Sequence, residues 1–240
     1  MMMTDIGMKV SKETLAILKN FSSMNSNILI HAGNTLRTIT PAKNMLAEAK
    51  VKETFDNEIG IFDLSKFLGT VSLFNDPTFT FEDKYVKICD KNNSEVKYYY
   101  TEPSLLTTAD KQLNMPEPVV TVVISEKQLA EIHKSSSVLQ LPNVSIESRD
   151  GEIHAVVFEK PMNDYLGSGY EANSNTYTVV LGPNNNTCEF EYHFQIDNFR
   201  FLPGGYNVSL CDQVIGEFKY NGNIDLTYWV AFDTTSRYHG

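Results

Sequence analysis

The sequence predicts an α+β protein of two similar domains, each with two helices packed on antiparallel sheet. The chain has 240 residues and is 42% hydrophobic, so it can bury a sizeable core in one large domain or in two of ordinary size. The order helix, strands, helix, strands occurs twice along the chain. A stretch with three prolines and no periodicity separates the two occurrences, as expected for a connector between domains.

The first predicted helix covers residues 11–24 and starts at Ser11, which is a favourable N-cap. Leu15, Leu18 and Phe21 recur at steps of three residues and predict the side that faces the core. One side of this helix is therefore expected to be buried.

A different side of the first helix is polar and basic. Lys12, Ala16, Lys19 and Ser23 follow at steps of four, three and four residues, which keeps the two lysines on one stripe two turns apart. Residues 8–24 contain three lysines and one glutamate, a net charge of +2, so the rest of the chain carries −12 and the whole chain −10. This helix is a basic element in an acidic chain.

Short segments, several of them rich in β-branched residues, predict the strands. In the first half they cover residues 27–31, 36–40, 45–51, 78–81, 85–89 and 95–100, and a second helix covers residues 63–73. In the second half they cover residues 119–124, 144–147, 153–158, 206–210, 214–220 and 226–232. Asp150-Gly151 lies between two of these strands and predicts a type I′ hairpin turn, because this dipeptide suits the positive φ angles of that turn.

The two halves share local patterns in the same order. The run from Ser125 repeats the spacing of the run from Ser11, at an offset of 114 residues, and predicts another helix. Residues 194–199 (FQIDNF) resemble residues 62–67 (FDLSKF) and predict a last helix. Pro203 limits this helix to little more than two turns. We interpret the chain as a diverged tandem repeat. The predicted parts are a first domain at residues 1–100, a connector at 101–118 and a second domain at 119–240.

The composition argues against several classes of protein. The net charge of −10 is unsuited to a protein that coats DNA with its whole surface, since clustered lysines and arginines carry phosphate binding. The three cysteines match no zinc pattern, and no apolar run approaches the roughly 20 residues that cross a bilayer. We therefore expect a soluble, cytosolic protein without disulfides, structural metal or membrane contact.

Catalytic motifs are missing from the sequence. The five histidines are scattered, without the spacing that places two metal ligands on one helix face. No phosphate loop, dinucleotide fingerprint or nucleophile elbow is present. We predict no catalytic residue, no metal and no cofactor. Paired carboxylates that meet only in the folded chain leave an unrecognised hydrolase as an open alternative.

Five short runs in the first 75 residues carry a family resemblance. They are residues 8–14 (MKVSKET), 18–21 (LKNF), 61–64 (IFDL), 67–69 (FLG) and 72–73 (SL). Thinner similarity continues at residues 199–206 and 228–231. On these residues the chain resembles the sliding clamps of T-even-like bacteriophages. Residues 1–7 form an N-terminal extension in this comparison, and residues 91–118 depart most from the pattern.

The resemblance implies a DNA-clamp fold that assembles into a ring. Such clamps are homotrimers of two-domain subunits joined head to tail, with helices that line a hole for duplex DNA and sheets on the outside. An ATP-dependent clamp loader opens the ring, and the replicative DNA polymerase holds it through a short peptide docked on the outer face. The implied role is processive DNA synthesis in the cytoplasm of the infected bacterial host, without chemistry by the clamp itself.

Seven basic residues are expected to face the DNA in such a ring. They are Lys9, Lys12, Lys19, Lys66, Lys127, Lys134 and Arg200. A mildly basic lumen holds duplex DNA by topology and by weak phosphate contacts that read no base. From charge alone, an ordinary solvated helix face is the alternative for Lys12 and Lys19. In the second domain, Glu126 and Glu131 offset the two helix lysines.

An aromatic run near the C-terminus is a candidate for the pocket that accepts the polymerase peptide. It consists of Tyr228, Trp229, Val230 and Phe232, and the connector is expected beside it. Aromatic side chains dominate contacts with apolar peptides, which supports this assignment. The alternative is an edge strand with one face in the core.

Two other functions remain open at this point. One is a phage structural or carbohydrate-binding β-rich protein, and the other is the hydrolase. The repeated order of helix and strands, together with the basic first helix, favours the clamp. Mass in solution tests the clamp against the structural or carbohydrate-binding protein, because a clamp should have about three times the chain mass of 27.1 kDa whereas the other need not.

Overall fold

The computed structural model describes residues 7–92, 94–109, 113, 115–160, 174–185, 188–212 and 215–239. The chain divides into two compact units, Met1–Gln112 and Leu113–Gly240. Both units combine helix with antiparallel strands, which confirms the predicted α+β class.

The first unit contains helices α1 (Lys12–Met24) and α2 (Leu64–Val71) and a 3-10 turn at Pro103–Leu105. Its strands are β1 (Ile28–Ile30), β2 (Gly33–Ile39), β3 (Met45–Phe55), β4 (Ile59–Ile61), β5 (Thr78–Phe81), β6 (Tyr85–Cys89) and β7 (Glu95–Tyr99). Four strand pairings between described residues of this unit are antiparallel: β1 with β4, β2 with β3, β5 with β6, and β6 with β7. The short strand β4 was not predicted from the sequence.

Helix α1 begins where the sequence predicts. The Ser11 hydroxyl accepts a hydrogen bond from the Thr14 amide at 3.2 Å, so Ser11 is the N-cap. The buried side carries Leu18 and Phe21, as predicted, whereas Leu15 is only half-buried. A step of three residues falls about 60° short of a full helical turn. Three such positions therefore drift around the helix, and Ile17 occupies the core position that was assigned to Leu15.

Strand β3 alternates regularly between an inward and an outward side. Its inward residues are buried, and they are Met45, Ala47, Ala49, Val51, Glu53 and Phe55. A period of two is expected for a strand with one face in the core. Glu53 is the charged residue among these inward positions, and its carboxylate contacts the start of α1.

The second unit contains one long helix, α3 (Glu126–Leu139), and a 3-10 turn at Ile196–Asn198. Its strands are β8 (Val120–Ile124), β9 (Asn143–Arg149), β10 (Glu152–Phe158), β11 (Thr176–Pro183), β12 (Glu189–Gln195), β13 (Tyr206–Leu210), β14 (Ile215–Tyr220), β15 (Asp225–Ala231) and β16 (Arg237–His239). One sheet has the order β11, β10, β9, β12, β16. In the other, β8, β13, β14 and β15 pair successively.

Local sequence signals define the start of α3 and the hairpin between β9 and β10. Ser125 and Gln128 form a capping box, in which each side chain bonds to the backbone N–H of the other residue. Asp150 and Gly151 have φ angles of 51° and 77°, as a type I′ turn requires, so the hairpin prediction is confirmed.

The predicted last helix is wrong, because the stretch from 194 to 199 forms only a single 3-10 turn. Phe194 still belongs to β12, and the chain turns after it when the Ile196 amide donates to the Pro142 carbonyl. Phe199 is completely buried, and its ring stacks on that of Phe201 at 5.1 Å. Packing of these rings favours a compact turn over a helix of two turns.

An aromatic cluster forms much of the core of the second unit. Ring centroids in it lie 4.8–6.0 Å apart, and its members include Phe194, Phe199, Phe201, Tyr206, Phe218 and Tyr228. The hydroxyl of Tyr228 accepts from the Leu202 amide at 3.0 Å, and the hydroxyl of Tyr206 donates to the Leu202 carbonyl. Burial raises the pKa of both tyrosines, so both stay neutral at physiological pH.

Candidate nucleic-acid interface

The polar stripe of α1 lies on the exposed side of the helix. Lys12, Ala16, Lys19 and Ser23 are all exposed, whereas Ile17 and the other core residues of α1 face the opposite way. Lys12 and Lys19 are seven residues apart, which places them two turns apart along the helix, about 10 Å. The first turn thus begins a row of positive charge that does not contribute to the core.

Strand β3 fixes the start of this helix from below. Glu53 is only 7% exposed, and its carboxylate accepts from the Ser11 amide at 2.5 Å and from the Thr14 hydroxyl at 2.5 Å. Burial tends to raise the pKa of Glu53, but the hydrogen bonds from Thr14 and Ser11 outweigh it and hold the pKa below its ordinary value. A carboxylate at a helix N-terminus also interacts favourably with the helix dipole.

The residue before Glu53 contacts α1 as well. Lys52 forms an ion pair with Glu13 at 2.6 Å, and this hydrogen bond raises the pKa of Lys52. Two consecutive residues of β3 therefore hold two sides of the first turn of α1. The sequence pattern predicts neither of these two contacts. A glutamate at an inward position of β3 is the signal that could have pointed to a buried role for Glu53.

Lys9 lies before α1 and not on the helix. Its ammonium group pairs with the Asp76 carboxylate at 2.9 Å. The hydrogen bond from Lys9 lowers the pKa of Asp76, and Lys91 lies 3.7 Å from the same carboxylate. Part of the Lys9 charge is therefore balanced within the protein, which sets it apart from Lys12 and Lys19.

Helix α2 supplies Lys66, which is exposed in the first turn after the N-cap Asp63. Helices α1 and α2 pack against each other, and a shallow groove of about 270 Å³ between them is lined by residues that include Lys19 and Leu68. The two helices of the first unit thus present their exposed lysines from one packed layer.

In the second unit, Lys127 and Lys134 are exposed on α3. Glu131 lies between them and accepts a hydrogen bond from the Tyr177 hydroxyl at 2.6 Å. Burial lowers the pKa of the adjacent His133, so this imidazole adds no positive charge at neutral pH. The α3 face is closer to electrical balance than the α1 face, as the sequence indicated.

Arg200 follows the 3-10 turn at Ile196–Asn198 and is exposed. Its guanidinium group lies 3.4 Å from the Asp197 carboxylate. No helix carries Arg200, because the predicted last helix does not form. Its position therefore differs from that of the helix lysines.

The aromatic run near the C-terminus divides between two faces of β15. Tyr228 and Val230 are completely buried, so they face the core. Trp229 points to the other side, is half-buried, and donates from its indole N–H to the Glu217 carboxylate at 3.1 Å. Phe232 is also half-buried, and its ring centroid lies 4.5 Å from that of Tyr192. Tyr228 and Val230 therefore fit the alternative that this strand has one face in the core.

Two further observations concern the described residues alone. They contain no group of three or more histidine, cysteine, aspartate or glutamate side chains arranged to hold a metal ion. They also contain no helix that combines the length and the apolar character needed to cross a membrane.

Solved structures with the same fold are ring-clamp proteins. PCNA from Thermococcus kodakaraensis has a TM-score of 0.66 at 12% identity, with 95% of this chain and 99% of that chain covered. PCNA from Entamoeba histolytica gives 0.66 at 11% identity, with 91% and 94% covered. PCNA from A. fulgidus, solved with the C-terminal region of FEN-1 bound, gives a TM-score of 0.65 at 14% identity, with 91% and 94% covered. The fold is therefore that of a sliding clamp, as predicted.

Sequence comparison finds similarity to one group within this class. A family model described as DNA polymerase processivity factor matches residues 11–103. The sliding clamp of Escherichia phage RB69 is 29% identical over 234 residues, with 95% of this chain and 98% of the relative covered. The sliding clamp of Enterobacteria phage T4 is 28% identical over 232 residues, with the same shares covered. That of Vibrio phage KVP40 is 24% identical over 227 residues, with 93% and 98% covered.

These matches confirm the resemblance to the sliding clamps of T-even-like phages. The function that they support is that of a DNA polymerase processivity factor, and the alternative of a phage structural or carbohydrate-binding protein is not favoured.

Proposed function

We propose that the protein closes as a homotrimeric ring around duplex DNA and tethers the replicative DNA polymerase, after an ATP-dependent clamp loader has opened the ring. The observation that carries this proposal is the exposed lysine stripe of α1, on a helix whose start is fixed by Glu53. A rigid basic helix in an acidic chain suits a DNA-facing wall.

Binding in such a ring is topological and independent of sequence. Lys12, Lys19 and Lys66 supply exposed positive charge from one helix layer, and the α3 lysines supply it from the second unit. Contacts of lysine with phosphate carry no information on base sequence and weaken with salt. A protein held by topology with weak phosphate contacts can slide.

A head-to-tail trimer needs two different complementary surfaces on each subunit. Within the described part of the chain, β7 ends one sheet of the first unit and β11 ends one sheet of the second. An edge strand presents unpaired backbone groups that can pair with another chain. We infer that β7 of one subunit pairs with β11 of the next, where Tyr177 and Val180 are 37% and 49% exposed.

The polymerase peptide is proposed to dock near the connector, at residues 101–118, and the C-terminal aromatic run. Within that run, Trp229 and Phe232 are the side chains that keep part of their surface exposed. A half-exposed indole is a suitable contact for an apolar peptide because tryptophan is enriched at the energetic centres of interfaces.

We infer that the protein performs no chemistry itself and that the loader supplies ATP hydrolysis. Its site of action is then the cytoplasm of the infected host cell. Processivity arises from the ring's persistence on DNA, for which no catalytic group is needed.

Retention on DNA of different topology tests the proposal. With loader and ATP, the protein should co-sediment with nicked circular duplex and should be lost when the circle is linearised. Light scattering should give a mass close to three times 27.1 kDa. A stable monomer at micromolar concentration, or equal retention on circular and linear DNA, contradicts the proposal.

A further inference from the structure

The outer face of the sheet formed by β5, β6 and β7 carries two lysines directly opposite each other. Lys87 on β6 is in register with Lys97 on β7, and Tyr85 is in register with Tyr99 beside them. The alternate residues of these strands, such as Val86, point inward. We call Tyr85, Lys87, Lys97 and Tyr99 the basic aromatic face.

This arrangement is electrostatically unfavourable without a ligand. Like charges directly opposite each other on neighbouring strands destabilise a sheet. Among the described residues, neither Lys87 nor Lys97 forms an ion pair. The ammonium group of Lys97 lies 5.2 Å from the centroid of the Tyr85 ring, a cation–π contact. Glu95 lies on the same face, two residues before Lys97, and is in register with Cys89.

The tyrosines give the face a second property. The Tyr85 and Tyr99 ring centroids lie 5.5 Å apart, with the rings tilted at 55°. Tyr99 is 65% exposed, which leaves much of its ring accessible. Alternate residues on one face of a strand lie about 6.8 Å apart, so the Lys97 ammonium group and the Tyr99 ring follow each other along β7 at about this spacing.

We propose that the basic aromatic face binds single-stranded nucleic acid. Phosphates contact Lys87 and Lys97, which relieves the repulsion between them, and bases stack on the exposed tyrosine rings. Aromatic side chains beside a basic track form the usual platform for single strands, and the recognition is independent of sequence because every base has a π face. A duplex has no unstacked base to offer to Tyr99.

The position of this face separates it from the DNA-facing helices. The inner side of the same sheet packs on α2, where the Phe67 and Tyr98 ring centroids lie 5.1 Å apart. The basic aromatic face is therefore on the side of the sheet away from α2. A single strand can bind there while the exposed lysines of α1 and α2 face a duplex. In the ring that we propose, β7 pairs through its edge with β11 of the next subunit, so this face of the sheet borders that seam.

Fluorescence anisotropy with a labelled oligothymidylate of about 15 nucleotides tests the proposal. The double variant Lys87→Ala/Lys97→Ala should bind at least about tenfold more weakly at low salt, and the log–log salt slope should become shallower by about 1.4, the value for two phosphate contacts on a single strand. Tyr99→Ala should weaken binding at least about fivefold, whereas Tyr99→Phe, which keeps the ring, should retain it.

Two controls distinguish this face from other sources of binding. Lys12→Ala/Lys19→Ala removes two lysines from α1, and oligothymidylate binding should weaken less in this variant than in Lys87→Ala/Lys97→Ala. Lys219→Ala removes an exposed lysine in the second unit and should leave oligothymidylate binding unchanged. The proposal is overturned if the α1 variant loses binding while the Lys87/Lys97 variant keeps it.

A poly-glutamate peptide provides the remaining test. If it displaces the oligonucleotide with equal affinity and its binding also depends on the Tyr99 ring, the face recognises acidic peptides and the proposal is wrong. Circular dichroism of each variant reports the fold. Lys87→Ala/Lys97→Ala should melt at or slightly above the wild-type temperature, because it removes opposed like charges. Tyr99→Ala should melt slightly lower, because it removes the aromatic pair with Tyr85.

Discussion

The carboxylate of Glu53 accepts a hydrogen bond from the Thr14 hydroxyl at 2.5 Å, across 39 residues of sequence. The same carboxylate accepts from the Ser11 amide, so one side chain of β3 satisfies two donors at the start of α1. The helix with the exposed lysine stripe is thereby fixed to the sheet at its N-terminus.

Replacing this carboxylate should destabilise the protein. Glu53→Gln retains the size of the side chain, but its amide nitrogen cannot accept a hydrogen bond, so one buried donor loses its partner. We expect a loss of about 1–3 kcal/mol in the free energy of unfolding. Denaturant titration measures it. Lys52→Gln on the same strand is the matched control and should cost less, because its ion pair with Glu13 is exposed to solvent.

The same residue should contribute to the dependence of stability on pH. The pKa of Glu53 is lower in the folded protein than in the unfolded chain, where it is about 4.3. Its contribution is therefore complete above that unfolded value and is lost as the pH falls through the folded value. The stability difference between wild type and Glu53→Gln should narrow between about pH 6 and pH 3. A difference that stays constant over this range would show that Glu53 does not titrate as described.

Charge reversal on α1 should separate DNA contact from assembly. Lys12→Glu/Lys19→Glu should cost well under about 1 kcal/mol of folding free energy, because both lysines lie off the buried face. In a trimer the double change alters the lumen charge by about twelve units, which repels phosphate. Processive synthesis on primed circular DNA should therefore decline, most at low salt where screening is weak.

Lys43→Glu/Lys219→Glu provides the matched control for this experiment. Both lysines are exposed and lie outside the helices, and the net change in charge is the same. This control should stay processive, and both double variants should remain trimeric. Full processivity of the α1 variant at low salt would exclude Lys12 and Lys19 from the lumen.

Neighbouring residues of β15 should respond differently to truncation. Trp229→Ala should leave the fold intact, because the indole is half-exposed, and should weaken binding of the polymerase peptide at least about tenfold. Tyr228→Ala should cost about 3–5 kcal/mol, because the ring is completely buried. Thermal melting and a peptide-binding titration measure the two effects. Unchanged peptide affinity in Trp229→Ala would place the docking site elsewhere.

Signals close together in sequence were sufficient for several elements. The N-cap bonds of Ser11 and Ser125 and the hairpin at Asp150-Gly151 depend on residues at most three positions apart, so the sequence alone could predict them. Strand β11 was missed because just one of its residues, Val179, is buried, and an edge strand with so little burial shows no alternation. The last helix was predicted from an echo of residues 62–67, but ring packing around Phe199 determines the turn that forms.

The candidate interface was predictable only in part. Exposure of Lys12 and Lys19 follows from helical periodicity, which is local. The pairing of Lys9 with Asp76, by contrast, joins residues 67 positions apart. The contact between Glu53 and α1 likewise depends on how β3 packs, and a single sequence contains no direct record of it.

The two long helices begin with the same Ser-x-x pattern but complete their caps in different ways. In α3 the reciprocal partner is Gln128, three residues from Ser125, so the cap can form as soon as that turn forms. In α1 the corresponding residue is Thr14, and the Ser11 amide has Glu53 as its partner, 42 residues away. A nascent α3 can therefore be capped while the chain is still unfolded, whereas α1 obtains its complete cap only after β3 has been synthesised and docked. In the order of folding, the helix that carries the exposed lysine stripe is completed after the strand beneath it.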